Sequence, residues 1–160
     1  MTDVELRAAT ANDADVITDI WHHGWRDGHA GHVPEALASL RTPESFAVRA
    51  AARVGDTTVA VVGGEVAGFI MVRGDEVEQV YVAAAHRGAG VAAVLLSEAE
   101  RQVAAAGFAG AWLAVVPGNA RARRFYERQG WHDAGGFDYE AATATGTVAV
   151  PCRRYAKSPL

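Results

Sequence analysis

The residues most able to do chemistry lie at 86–92, His86-Arg87-Gly88-Ala89-Gly90-Val91-Ala92, within the stretch AAAHRGAGVAAVLLSEAE. The run EQVYV ends just before them, and good helix formers at apolar periodicity come after. Two glycines and an arginine therefore stand where a strand gives way to a helix. The first four N–H groups of a helix have no internal partner, and the helix dipole makes that end partly positive. Glycine leaves no Cβ between those amides and an approaching group. With Arg87 as a charged donor at the rim, the segment predicts an anion site suited to phosphate or diphosphate.

A dinucleotide-type G-x-G-x-x-A is satisfied by Gly88, Gly90 and Ala93. That reading fails on context. A Rossmann unit wants an acidic residue about 20 positions on, at the end of the next strand, to hold a ribose. No Asp or Glu lies between Glu100 and Glu127, and a meander rather than the chain's first strand leads into the glycines.

Three further groups invite a chemical reading. Glu76 and Glu78 are two residues apart and so share a face of one strand; partial desolvation raises a glutamate toward ~6–7, which suits a general base. The same pair also fits a wet strand end. His22, Arg26 and His29 recur at four and three residues on one helix, with Trp21 and Trp25 beside them. That cluster has no cysteine and no well-spaced carboxylate, so no metal site is expected. The tryptophans also fit a core and the histidines a solvated face. Cys152, the single cysteine, has no histidine or acid beside it and reads as a buried structural thiol. His86 and His132 read as surface residues.

Periodicity sets the elements that carry these groups. DVELRAAT alternates as a first strand, Asn12 is a candidate N-cap, and Val16, Ile17, Ile20, Trp21 and Trp25 mark a helix to about Gly28. Short helices are expected in GHVPEALASL and TPESFAVRAAARV, with Pro43 in a first turn. TTVAVV, VAGFIMVRG and DEVEQVYV then read as three strands, turned by Gly63-Gly64 and Gly74-Asp75. The glycine segment opens a helix over roughly 88–106, stopped by Gly107. GAWLAVV is a buried strand, 120–129 a helix, and WHDAGGFDYEA and TVAVPCRRYA are a closing antiparallel pair. The expected fold is one α/β domain over residues 1–160, with a mixed, mostly antiparallel sheet of about seven strands covered by helices on both faces.

With the elements in place, Arg87-Gly88-Ala89-Gly90-Val91-Ala92 resembles the R/Q-x-x-G-x-G/A loop of the GNAT superfamily of acyl-CoA-dependent N-acetyltransferases. EQVYVAAAHRGAGVAAVLL resembles that family's strand, loop and helix in register, although Ala84 stands where proline is frequent. NARARRFYERQGW resembles its second signature, and IWHHGWRDGHAGHVPEAL its first helix and loop. The resemblance implies splayed strands at a cofactor cleft and transfer of an acetyl group from acetyl-CoA to a small-molecule or peptide primary amine by direct attack. It places the diphosphate on the amides of Arg87, Gly88, Ala89, Gly90, Val91 and Ala92, and the pantetheine arm along Val80, Tyr81 and Val82. One amide of that strand would polarise the thioester carbonyl. Tyr126 falls at the family's general acid and Asn119 beside the cofactor arm, where it also caps a helix. Glu78, then Glu76, stand where a catalytic carboxylate is frequent. Trp21, His22, Trp25, Arg26 and His29 would line the acceptor pocket. A non-catalytic acyl-CoA-binding module would carry the same loop, transfer of a longer acyl chain depends on pocket depth, and a homodimer is compatible with such a fold.

The bulk numbers agree with this reading. Half the residues are apolar, and 15 Lys plus Arg against 19 Asp plus Glu leave a net charge of −4 with no dense basic block, so nucleic acid is not an expected partner. One cysteine admits no internal disulfide. The first twenty residues carry acids throughout and no run is long enough to span a bilayer, so the expectation is a cytoplasmic protein with no membrane partner.

Overall fold

A computed structural model describes residues 3–160. Seven strands form one open sheet: β1 (Glu5–Ala8), β2 (Thr57–Val62), β3 (Glu65–Arg73), β4 (Glu76–Val82), β5 (Ala111–Val115), β6 (His132–Thr143) and β7 (Gly146–Lys157). Their order across the sheet is β1-β2-β3-β4-β5-β7-β6, and every neighbouring pair is antiparallel except β4 with β5. The mixed, mostly antiparallel sheet expected from the sequence is the observed one.

Helices cover both faces. On one side α1 (Ala14–His29) and α3 (Pro43–Ala52) press Ile17, Trp21 and Phe46 onto Val59, Phe69 and Met71 of the sheet. Trp21 meets Phe46 and Phe69 edge-on at 5.6 and 5.8 Å, in the arrangement that aromatic quadrupoles favour. The short α2 (Glu35–Ala38) adds Leu37. On the other side α4 (Val91–Ala105) buries Val91, Leu95, Leu96, Ala99 and Val103, the i, i+4, i+8 stripe that the sequence predicts. Here α5 (Ala120–Arg128) contributes Phe125 and Tyr126 beside Trp131 and Tyr155.

Boundaries differ from expectation where a local interaction outweighs periodicity. The first helical segment begins with a 3-10 turn after Thr10, so Asn12 lies inside it and does not cap it. Asp13 sets that start: its carboxylate accepts the Thr10 N–H at 2.8 Å and pairs with Arg7, which holds it near 2. The long α4 starts at Val91 rather than at 88, because Gly88 and Gly90 take φ of +82° and +83° and cannot belong to a right-handed helix. Trp131 precedes β6 and is 2% exposed, its indole N–H bonded to Glu100 at 3.1 Å.

Two irregularities of β4 open the sheet on one side. Its ladder with β3 steps from Met71 opposite Gln79 to Val72 opposite Val77, so Glu78 is the extra residue of a β-bulge. Its pairing with β5 is confined to Glu76 opposite Trp112. Beyond that point the two parallel strands part, which leaves one edge of residues 78–82 without a strand partner.

Helix α1 crosses β4 closely at Gly24. A methyl group there would sit 2.4 Å from Cδ1 of Tyr81. Gly24→Ala is therefore expected to cost about 1–3 kcal/mol by overpacking. Gly55→Ala, where nothing lies within 4 Å and φ is ordinary, should change stability by less than about 0.5 kcal/mol. Urea denaturation of the two variants checks the difference.

Candidate active site

The glycine loop and the start of α4 form an exposed rim of free amides. A Cβ at Gly88 or Gly90 would meet nothing within 4 Å, so protein packing does not dictate these glycines. Positive φ and open space in front of the backbone do. No side chain caps α4, whereas α3 is capped by Thr42 and α5 by Asn119, whose Oδ1 accepts the Ala122 N–H at 3.3 Å. The amides of the first turn of α4 are thus left for a ligand. Arg87 is held at this rim by Asp27 of α1, 2.9 Å away. His86 is not a free surface residue: it is 19% exposed and contacts Glu65 at 3.3 Å.

From this rim a cleft of about 530 Å³ runs between β4 and α5. Of the residues assigned to the cofactor from sequence, Val80, Tyr81, Val82, Arg87, Gly88, Gly90, Val91, Ala92 and Asn119 line it. Ala89 is exposed and does not line it. Arg121 and Arg128, which carry no sequence signal of their own, add positive charge to the same wall.

A second cavity of about 430 Å³ opens behind the first. Gly24, Val80, Tyr81, Asn119, Ala122 and Tyr126 line both, so the two adjoin along these residues, Tyr126 among them. Tyr126 packs against Phe125, Trp131 and Tyr155, with centroids 5.4, 6.3 and 6.1 Å away. Burial pushes its hydroxyl up to about 12, which keeps it a neutral donor at physiological pH.

Both predicted carboxylates reach this second cavity, in different states. Glu78, at the bulge, is ion-paired with Arg53, which also bonds Asp56 at 3.0 Å. Among the described residues Glu76 has no cationic partner within ion-pair distance. It accepts a hydrogen bond from the Tyr139 hydroxyl at 2.6 Å, and burial raises its pKa above the ordinary carboxylate value against that bond's opposing pull.

The five acceptor residues expected on α1 are divided by the structure. Trp25 and His29 line the second cavity, their rings stacked 5.3 Å apart and 7° from parallel. Trp21, His22 and Arg26 do not line it. Trp21 is core at 1% exposure, His22 lies against Phe46, and Arg26 is exposed. A helix turns about 100° per residue, so His22 and Arg26, one position round from the Trp25–His29 row, face elsewhere. Trp21, in that same row one turn nearer the helix start, is packed on Phe46 and Phe69. Arg41, Arg49, Arg53 and Tyr139 also line this cavity, and sequence reasoning does not find them. The i, i+4 spacing of Arg49 and Arg53 is the one available signal.

Among the described residues no group of His, Cys, Asp and Glu is placed to hold a metal, and no helix is long and apolar enough to cross a membrane. Residues 17–131 match the model of the acetyltransferase (GNAT) family. In fold, the chain is similar to an N-acetyltransferase from Rhodopseudomonas palustris (TM-score 0.75, 20% identity, covering 99% of this chain and 97% of that one). It is also similar to PaiA N-acetyltransferase from Thermoplasma acidophilum, solved in complex with coenzyme A (0.71, 16%, 98% and 99%). YncA from Salmonella typhimurium, solved with acetyl-CoA, is a third (0.70, 20%, 99% and 95%). No curated protein matches the sequence.

His29 offers a direct check on how dry the second cavity is. Its Nδ1–H donates to the Trp25 carbonyl at 3.2 Å, and burial lowers its pKa from 6.5 to about 4. Unfolding would restore the ordinary value, so stability should be full above pH 6.5 and fall as pH drops toward 4. His29→Gln is expected to flatten the melting temperature over that window. A histidine NMR titration should find the wild-type ring still neutral at pH 5.5.

Proposed function

Because this chain belongs to the acetyltransferase (GNAT) family, we propose that it moves an acetyl group from acetyl-CoA to a primary amine by direct attack in a ternary complex. The observation that carries this reading is a pair of cavities adjoining along residues that include Tyr126, one rimmed by free helix amides and the other holding a protonatable carboxylate. The coenzyme A and acetyl-CoA complexes of two fold neighbours support the choice of co-substrate.

The residues fit such a ligand. The amides of Gly88 and of Gly90, Val91 and Ala92 would face its diphosphate, Arg87, Arg121 and Arg128 supply counter-charge, and the open edge of Val80–Val82 offers the backbone groups that a pantetheine arm would pair. An amide on that edge polarises the thioester carbonyl, a fixed dipole aimed at developing negative charge. Tyr126 donates the proton to the departing thiolate. Glu76 takes the proton from the attacking amine, directly or through water, because burial raises its basicity above that of an ordinary carboxylate. Glu78, first choice on sequence, holds Arg53 instead. Cys152 lines the acceptor cavity, but burial raises its thiol to about 11, which leaves it protonated and a poor nucleophile and favours direct transfer.

Thiol release from acetyl-CoA over an amine panel tests the reading. Tyr126→Phe should lower kcat about 100-fold or more while calorimetry finds acetyl-CoA affinity intact. Gly90→Asp should show the opposite split: affinity falls about tenfold or more, since a side chain and a negative charge enter the anion rim. Cofactor binding without turnover on any amine would mark a binding module instead.

The base assignment has its own test. In wild type kcat should rise with pH through the elevated Glu76 pKa, because the base works only when deprotonated. Glu76→Gln should abolish that acid limb; a limb that persists unchanged excludes Glu76 as the base.

A further inference from the structure

The second cavity carries more positive charge than its own carboxylates use. Arg53 is paired with Glu78 and Asp56. Among the described residues Arg41 and Arg49 have no carboxylate partner. Arg41 is only 8% exposed, yet its Nε is buried with no hydrogen-bond partner among the described residues. The Nη1 of Arg49 is in the same condition, and its guanidinium lies 4.2 Å above the Trp21 ring. Both side chains line the acceptor cavity and neither lines the cleft with the glycine rim. A buried guanidinium without a partner is strongly disfavoured by desolvation, so Arg41, with the half-buried Arg49 in the same cavity, calls for an anion.

We propose that Arg41 and Arg49 form an oxyanion subsite in the acceptor cavity, so that the acceptor is an amine carrying a carboxylate or equivalent acid on the same small molecule. This rests on the acetyl-transfer reading above and names its substrate class. The cavity lining carries both signs, Glu76, Glu78 and Glu140 against Arg41, Arg49, Arg53 and Arg73, and of the cations Arg53 and Arg73 are held by carboxylates. Trp25, Val33, Leu37, Ala141 and Val150 add apolar wall. His29 does not compete for the anion, because burial keeps it neutral. Burial depresses Arg49 to about 10, still protonated at neutral pH, and the Arg41 charge adds to that depression. A zwitterion with an apolar side chain, the pattern of a free amino acid, answers all three features.

The test compares leucine and phenylalanine with isoamylamine and phenethylamine, which lack the carboxylate, and with leucinamide and phenylalaninamide, which lack its charge. Wild type should prefer the acids by about 10- to 100-fold in kcat/KM, the range for charged hydrogen bonds. Arg41→Gln and Arg49→Met, the latter keeping an apolar stem against Trp21, should each cut that preference about tenfold, with acetyl-CoA affinity showing that the fold survives. Equal or better turnover of the neutral amines, or an unaltered preference in both variants, overturns the subsite and leaves acetyl transfer standing. Should no amine be acetylated, calorimetry with coenzyme A and N-acetyl-leucine decides. Binding that is lost in the variants supports the anion subsite while transfer fails; no binding overturns the subsite as well.

Discussion

The structure depends on one incomplete pairing. β4 and β5 run parallel and touch in register only at Glu76 and Trp112, after which the sheet opens while both strands remain anchored on their outer sides by β3 and β7. Backbone N–H and C=O groups are obligatory hydrogen-bonding groups, so a strand edge inside a domain that lacks a partner is a site waiting for one. α5 and Asn119 stand across the gap, and α4 presents its uncapped N-terminus at the mouth. The same opening thus provides a slot for an extended arm and a cradle for the charge at its end.

The opening also sorts electrostatics. The outer cleft is lined by Arg87, Arg121 and Arg128 and opens to solvent, where phosphate charge is met without heavy desolvation. In the second cavity burial decides each group's state: Tyr126 and Cys152 stay protonated, His29 stays neutral, and Glu76 becomes more basic. Groups with pKa values pushed apart side by side are what acid–base chemistry at neutral pH requires. The bulge at Glu78 belongs to this arrangement, because it places two carboxylates of one strand in the cavity and lets only one of them reach Arg53.

Much of this is legible in the chain because its signals are local. The glycine loop, the Asn119 cap and the α4 stripe each lie within a few residues, and the strands are marked by period-two runs and turns. What is not legible is tertiary. The family resemblance puts Trp21, His22 and Arg26 with the acceptor, but only Trp25 and His29 reach the cavity: Phe46 of α3 takes up Trp21, in their own row, and His22, one position round the helix. Period two puts Glu76 and Glu78 on one face and cannot show the bulge that separates their partners. Arg41 comes after α2 and Arg49 lies within α3, and their convergence with β4 exists only after folding.

Amide hydrogen exchange, read residue by residue with and without saturating acetyl-CoA, is the decisive experiment for the open strand edge and the glycine rim. Bound ligand should slow exchange at an edge amide within Val80–Val82 and at the amides of 88–92, in the same titration. Exchange unaltered at both segments by a bound ligand would contradict this assignment, because the cofactor would then lie elsewhere.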